Sequence, residues 1–312
     1  MSTLLLIDGN PIMHRAYHAL PLLTAKDKTP TNVIYGFFSM LHKAVTEFSP
    51  DYISTVFDTP KPTFRHQIFV QYQIQRPKID DKFKIQIPLV KQALDYAGIF
   101  RIEKDGYEAD DIIGTIINKF NSSKLRIIII TGDRDLFQLI KKNIYIVVPQ
   151  VGLTKIKIYD EQEIINKIGI APEKITDFKA LVGDQSDNYP GAKGIGPKTA
   201  IKLINQFGTI EEIYKNLDAI KDSKLKEILK NEKENVFLSK KLATIETNIN
   251  LDIDINQLKF NGFNQKLADF FDQYQIYSLK KRFFENKNFI NQSEEKKEKL
   301  NEEENIKQIK MF

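Results

Sequence analysis

Four short apolar runs, at residues 4–7, 53–57, 125–130 and 144–148, are rich in Ile, Leu and Val on both faces. Strands buried on both sides read this way. Between them lie segments whose apolar positions recur at helical spacing: 35–48, 85–97 and 110–120. The alternation predicts an α/β fold, a mostly parallel central sheet with helices on both faces. From about residue 172 the pattern is helical only, at 176–182, 198–207, 210–215, 225–230, 235–247, 264–271 and 275–284. A helical subdomain packed on the sheet is expected there. Residues 285–310 carry Lys, Glu, Asn and Gln with few large apolar side chains, which reads as a solvated helix or a disordered tail. There is no internal repeat.

Acids stand where the apolar runs stop. Asp8 follows the first run and Asp58 the second, while Asp133 and Asp135 follow the third in Thr131-Gly132-Asp133-Arg134-Asp135. In parallel sheets ligands bind beyond the carboxyl ends of the strands, so one crevice can collect Asp8, Asp58 and Asp133. Glu108, Asp110 and Asp111 open another apolar stretch, and Glu108 and Asp111, three apart, share a face on a helix. Asp184 and Asp187 add two more carboxylates. Side by side, such groups repel by roughly 1–4 kcal/mol per pair, depending on the local dielectric. A divalent cation is the simplest group to hold them. Two or more carboxylates per cation suit a two-metal hydrolase, with Mg2+ as the fitting ion and Mn2+ as a substitute. The plainer reading makes Asp110 a first-turn helix charge and Asp187 a loop acid.

The chain has 312 residues and a net charge of +5, in spite of these acids. Length allows one large domain or two smaller ones, and the basic balance suits a polyanionic partner. With no cysteine, disulfides, zinc ribbons and thiolate catalysis are excluded and an intracellular address is expected. No signal peptide or membrane-length apolar run is visible. His14 and His18 lie one helical turn apart, without a third ligand near in sequence.

Two basic segments complete the picture. Residues 189–200 hold Gly191, Lys193, Gly194, Gly196, Pro197 and Lys198. The glycines permit a tight turn and close backbone approach, and Pro197 suits the first turn of a helix. Free amides there, beside Lys193 and Lys198, would cradle phosphates without reading bases. The stretch 61–84 interleaves Phe64, Arg65, Tyr72, Arg76 and Lys78 with further lysines directly after Asp58. Cations and rings beside a metal crevice suit single-stranded nucleic acid.

Several motifs carry a family resemblance. They are Leu6-Ile7-Asp8-Gly9-Asn10, Val56-Phe57-Asp58, Thr63-Phe64-Arg65, Tyr107-Glu108-Ala109-Asp110-Asp111, Gly132-Asp133-Arg134-Asp135-Leu136, Gly183-Asp184-Gln185-Ser186-Asp187-Asn188 and the glycine hairpin. Up to about residue 284 the chain resembles the 5′ nuclease domain of bacterial DNA polymerase I, in the flap endonuclease superfamily. The resemblance implies a PIN/5′ nuclease-like catalytic domain at 1–171, with an arch at about 61–91. It also implies a DNA-binding subdomain at 172–284 built on a helix-three-turn-helix, then a charged tail at 285–312. The implied activity is that of a 5′-3′ exonuclease and flap endonuclease, removing primers and flaps in Okazaki fragment processing and repair.

By that resemblance Asp8, Asp58, Glu108, Asp110, Asp111 and Asp133 serve mainly the more buried of two metal ions, and Asp135, Asp184 and Asp187 mainly the second. Arg65, Tyr72, Arg76, Lys78 and the hairpin contact DNA, with K+ at the hairpin. The family places a lysine directly after the arch tyrosine. Here Tyr72 is followed by Gln73, so Arg76 and Lys78 are expected to supply the catalytic cations. The end, Gln308-Ile309-Lys310-Met311-Phe312, resembles a sliding-clamp binding motif, with Gln308, Ile309, Met311 and Phe312 as its contacts. The expected protein is a free-standing monomer, cytoplasmic and nucleoid-associated. The competing readings are a catalytically weak junction-binding protein and an aspartyl phosphatase; the latter usually has an acid where Asn10 stands.

Overall fold

The computed structural model of the chain describes residues 1–77, 79–150 and 155–285. Strands β1 (Ser2–Asp8), β2 (Tyr52–Val56), β3 (Phe100–Ile102), β4 (Leu125–Ile130), β5 (Ile144–Pro149) and β6 (Ile156–Tyr159) form one sheet in the order β3-β2-β1-β4-β5-β6. All pairings are parallel except β5 with β6. The apolar runs predict β1, β2, β4 and β5. The two edge strands, β3 and β6, lack such a run. β3 has three residues, and β6 alternates apolar with Lys157.

Side chains alternate across a strand, so each central strand feeds two cores. Leu4, Leu6, Ile127 and Ile129 enter one core, while Leu5, Ile7, Ile128 and Ile130 enter the other. Burying a side chain of this size stabilises the fold by about 1.5–3 kcal/mol. The second core is covered by α1 (Gly9–Ala19), α2 (Asn32–Phe48) and α5 (Gln86–Tyr96). Short helices α3 (Phe64–Ile68) and α4 (Asp81–Lys84) precede α5. The first core is covered by α6 (Ala109–Phe120) and α7 (Glu161–Ile168). Both faces of the sheet thus carry the helices that the alternating pattern predicts.

The helices after residue 172 divide. α8 (Ile175–Val182), α9 (Pro197–Phe207), α10 (Ile210–Lys215), α11 (Ser223–Asn231) and α12 (Lys233–Ala243) add to the first core. α13 (Gln265–Gln273) and α14 (Tyr277–Phe284) return to the opposite face and pack on α5 and α2. The helix expected over 235–247 stops at Ala243, and the chain then runs without regular structure to residue 254.

One loop is pinned by glycines. Gly183 and Gly191 have φ of +72° and +61°. A Cβ on Gly191 would fall 2.2 Å from the Gly183 amide nitrogen, so no larger residue fits without moving backbone. This close crossing fixes the loop that carries Asp184 and Asp187.

Candidate metal centre and nucleic-acid interface

The chain steps from β1 to β2 and β3 on one side, then crosses to β4 on the other. A crevice opens at such a switch, beyond the carboxyl ends of the strands. Asp8 is the last residue of β1, and Ile7 pairs in register with Ile130 of β4, so Asp133 follows close by. The start of α6 brings Glu108 and Asp110, and the pinned loop brings Asp187. Asp8, Asp58, Glu108, Asp110, Asp133, Asp135 and Asp187 line one cavity of about 500 Å³. Asp184 lines the adjoining hollow with Asp133 and Asp135.

Hydroxyls and amides arrange the first group. Thr131 Oγ1 donates to Asp8 Oδ2 at 2.6 Å, and the Asp133 amide donates to Thr131 Oγ1 at 2.8 Å. The amide of Ala109, at the start of α6, donates to Asp58 Oδ1 at 2.8 Å. Among the described residues, Asp8, Asp58, Asp110 and Asp133 form no ion pair. Burial pushes the Asp8 carboxyl well above the ordinary range, against the Thr131 hydrogen bond and with Asp58 and Asp133 adding to the rise. Asp110 is raised in the same way by burial and by Asp133 and Asp8, and Asp58 by burial. Burial also lifts Glu108 to about 7, despite Arg65 beside it. Crowded, buried carboxyls of this kind have the chemistry of a donor set for a divalent cation.

The second group is arranged by charge. Oxygens of Asp135, Asp184 and Asp187 all lie within 4.8 Å of one another, close enough to share one metal ion. Lys179 of α8 contacts Asp135 Oδ1 and lies 2.7 Å from Asp184 Oδ2. Arg76 donates to Asp187 Oδ1 at 2.7 Å. Burial raises Asp135 to about 7, partly offset by Lys179. Asp184 is also raised by burial, but Lys179 and the Ser186 hydrogen bonds outweigh this and leave it below its ordinary value. Oxygen-only ligands suit magnesium or manganese at both groups.

Asp111 is the exception among the nine acids. Its spacing from Glu108 reflects a capping box: Glu108 caps α6 and its amide donates to Asp111 Oδ2 at 3.0 Å. Arg65 holds both Asp111 oxygens, at 2.7 and 2.8 Å, and the Glu246 amide donates to Oδ1 at 2.9 Å. With its oxygens taken and no exposed surface, Asp111 has nothing left for a metal ion.

Arg65 is corrected for the same reason. It is 2 % exposed, and it also donates to the backbone oxygens of Leu242 and Thr244. It cannot meet a phosphate. Tyr72 is 3 % exposed, so its ring offers no stacking face. Its hydroxyl lies 3.2 Å from both Glu108 Oε2 and Asp187 Oδ2, which links the two acid groups. A phenol has one proton and serves one carboxylate at a time. Arg76 is different. Its side chain is half exposed and lines the cavity, and neighbouring Gln73 lines it too.

The glycine hairpin joins α8 to α9, which begins at Pro197. Lys193, Gly194, Gly196 and Lys198 are exposed, as a phosphate contact requires, whereas Gly191 is buried and packs the loop. Lys78 and the pentapeptide residues Gln308, Ile309, Met311 and Phe312 lie outside the described residues.

Sequence reasoning missed Thr131 and Lys179, and it considered His14 only as a ligand beside His18. Thr131 could have been read from its place at the end of an apolar run. His14 lines both hollows and stacks on Phe83 at 4.4 Å, and burial holds its ring below the ordinary histidine range, with His18 and Arg76 adding to the effect. No spacing rule points to Lys179. No helix among the described residues is long and apolar enough to cross a membrane.

Residues 3–169 match the family model for a 5′-3′ exonuclease N-terminal resolvase-like domain, and residues 170–266 match that for a 5′-3′ exonuclease C-terminal SAM fold. A 5′-3′ exonuclease of Aquifex aeolicus is 38% identical over 274 residues, which cover 86% of this chain and 92% of that protein. DNA polymerase I of Caldicellulosiruptor bescii is 40% identical over 282 residues, covering 89% of this chain and 33% of that one. The chain thus spans about a third of the length of the DNA polymerase I relatives it matches. The fold is similar to that of the bacteriophage T5 flap endonuclease solved with DNA and metal ions, with a TM-score of 0.63 at 21% identity, over 78% of this chain and 90% of that one.

Proposed function

The chain belongs to the 5′-3′ exonuclease family, and on that premise we propose that it hydrolyses DNA phosphodiesters at 5′ ends and flaps, using two divalent ions held by its two acid groups. The observation that carries this reading is the convergence of eight carboxylates, from five separate stretches of chain, on one crevice and its adjoining hollow. Asp8, Asp58, Glu108, Asp110 and Asp133 would hold one ion, and Asp135, Asp184 and Asp187 the other. Mg2+ is the proposed ion, with Mn2+ as a substitute. Bound there, such ions supply Lewis acidity and charge neutralisation for phosphodiester hydrolysis.

The chain's own groups position the substrate. The half-exposed Arg76 guanidinium reaches into the cavity, where it can take two phosphate oxygens in a planar fork. Tyr72 stands between Glu108 and Asp187 and donates to one of them at a time. Exposed amides at Gly194 and Gly196, with Lys193 and Lys198, offer duplex phosphates a backbone contact without base readout. K+ at this hairpin, Lys78 as a second cation and clamp binding through Gln308, Ile309, Met311 and Phe312 belong to the same proposal. Primer removal and repair would be the setting.

A labelled double-flap oligonucleotide tests the reading. Cleavage near the flap base with Mg2+, abolished by EDTA, is expected. Intact flaps with Mg2+, alongside turnover of p-nitrophenyl phosphate, would move the protein to the phosphatase class. Tight flap binding without any cleavage would make it a junction-binding protein.

A further inference from the structure

The second acid group has its cations built in. Lys179 lies against Asp135 and Asp184, and Arg76 against Asp187. These are the same three carboxylates whose oxygens could share one metal ion. An ammonium held on these carboxylates weakens their hold on a divalent ion, because like charges at close range repel. The Lys179 side chain is 13 % exposed, so water screens that repulsion little.

We propose that Lys179 is a tethered counter-cation: it holds Asp135 and Asp184 in place of a divalent ion, which enters only as the ammonium withdraws. This rests on the reading that the acid groups bind divalent ions. Lys179 is a positioning residue, and its four-carbon stem gives the head group room to move without the backbone.

A receiving group stands nearby. Tyr189 is 3 % exposed, and its hydroxyl has no hydrogen-bond partner among the described residues. Buried polar groups without partners are uncommon and call for an explanation. Tyr189 adjoins the second acid group, because its backbone pairs with that of Asp184. Two reciprocal hydrogen bonds, each 3.0 Å long, make that pairing, and they hold the Tyr189 backbone in place as the lysine moves. The ammonium that leaves the carboxylates satisfies the Tyr189 hydroxyl. The exchange makes the second ion the weaker of the two, and it keeps the three acids from repelling one another when metal is scarce.

Manganese titration of the EDTA-stripped full chain tests this, with free Mn2+ counted by electron paramagnetic resonance and melting followed in parallel. The wild type is expected to take one tight and one weaker ion. Lys179→Met should tighten the weaker ion about tenfold, within the usual range of site-to-site coupling, and lower the metal-free melting temperature, which Mn2+ then restores. Lys179→Arg should keep the wild-type order of affinities. Tyr189→Phe should leave metal-free melting unchanged and weaken the second ion, which a purely structural tyrosine would not do. An unchanged or weaker second ion in Lys179→Met overturns the proposal. If that variant fails to fold, an unaltered second ion in Tyr189→Phe together with a tightened one in Lys179→Arg overturns it instead. Absence of any Mn2+ binding by the wild type would sink the metal reading itself.

Discussion

Around Asp8, Asp58, Asp110 and Asp133 the described residues supply hydroxyls and amides but no ion-paired cation. Around Asp135, Asp184 and Asp187 they supply a lysine and an arginine. The two groups adjoin, yet their carboxyls respond differently. Asp8 and Asp110 are pushed far up by burial and by each other's neighbours, whereas Asp184 ends below its ordinary value. A group without cations depends on protons or an external ion for neutrality. A group with its own lysine and arginine is partly neutralised from within, although Asp135 still takes up a proton below about pH 7. The contrast teaches that one crevice can hold a position built around an ion and another that tolerates the ion's absence.

The largest expected effect comes from removing a first-group acid. Asp133→Ala should lower single-turnover flap cleavage by about 10³-fold, the scale of losing one transition-state charge contact, while flap binding in a gel-shift assay stays nearly unchanged. Equal loss from Asp184→Ala would erase the difference between the groups. Next comes the border of the first group. Asp111→Ala should cost about 3–5 kcal/mol in urea unfolding, because it leaves Arg65 buried without its partner. First-ion affinity of the folded fraction should not change, and a lost ion would return Asp111 to the ligand set.

Metal and proton compete at both groups, through Glu108 and Asp135. Their folded pKa of about 7 lies above the unfolded value near 4, so the fold binds extra protons between about pH 4 and 7. That contribution is present at low pH and lost as pH rises through about 7. The metal-free melting temperature should therefore carry a downward component from about pH 5.5 to 8, and Mg2+ should remove it. Addition of Mg2+ near pH 7 in weak buffer should release protons, and no release would mean that the ion does not replace them. Away from both groups, Lys193→Ala and Lys198→Ala should each lower the salt slope of DNA binding by about one, with cleavage chemistry intact. The smallest effect is at Gln73, where Gln73→Lys adds a half-buried charge at the cavity wall worth up to about 1 kcal/mol. Turnover should rise by less than about fivefold. No change would mean that position 73 has no share in the cavity's electrostatics.

Most of the sheet and most of the crevice were legible because both write themselves into local patterns. Buried parallel strands are apolar on both faces, and the acids follow them directly, so Asp8, Asp58 and Asp133 could be placed together without coordinates. The edge strands β3 and β6 could not, since a half-exposed strand of three or four residues leaves no periodic signal. Asp111 was misplaced for a different reason. Spacing of three gives a shared helix face, but it does not distinguish a metal ligand from a capping partner. The decisive guanidinium, Arg65, lies 46 residues away. Lys179 escaped notice likewise. A single lysine on an amphipathic helix looks solvated until the fold turns it onto two carboxylates.

Arg65 also has a consequence for dissecting the protein. It sits in α3, grips the start of α6, and donates to backbone oxygens at the end of α12 and just beyond it. The two family models meet near residue 170, between these anchor points. A polypeptide cut at that seam would strip two acceptors from a sealed-in positive charge and uncover the apolar surface beneath. Expressed alone, the N-terminal part should be insoluble or only partly folded, and mixing it with the missing part should rescue it. The seam seen by comparing sequences is therefore a poor place to divide the folded molecule.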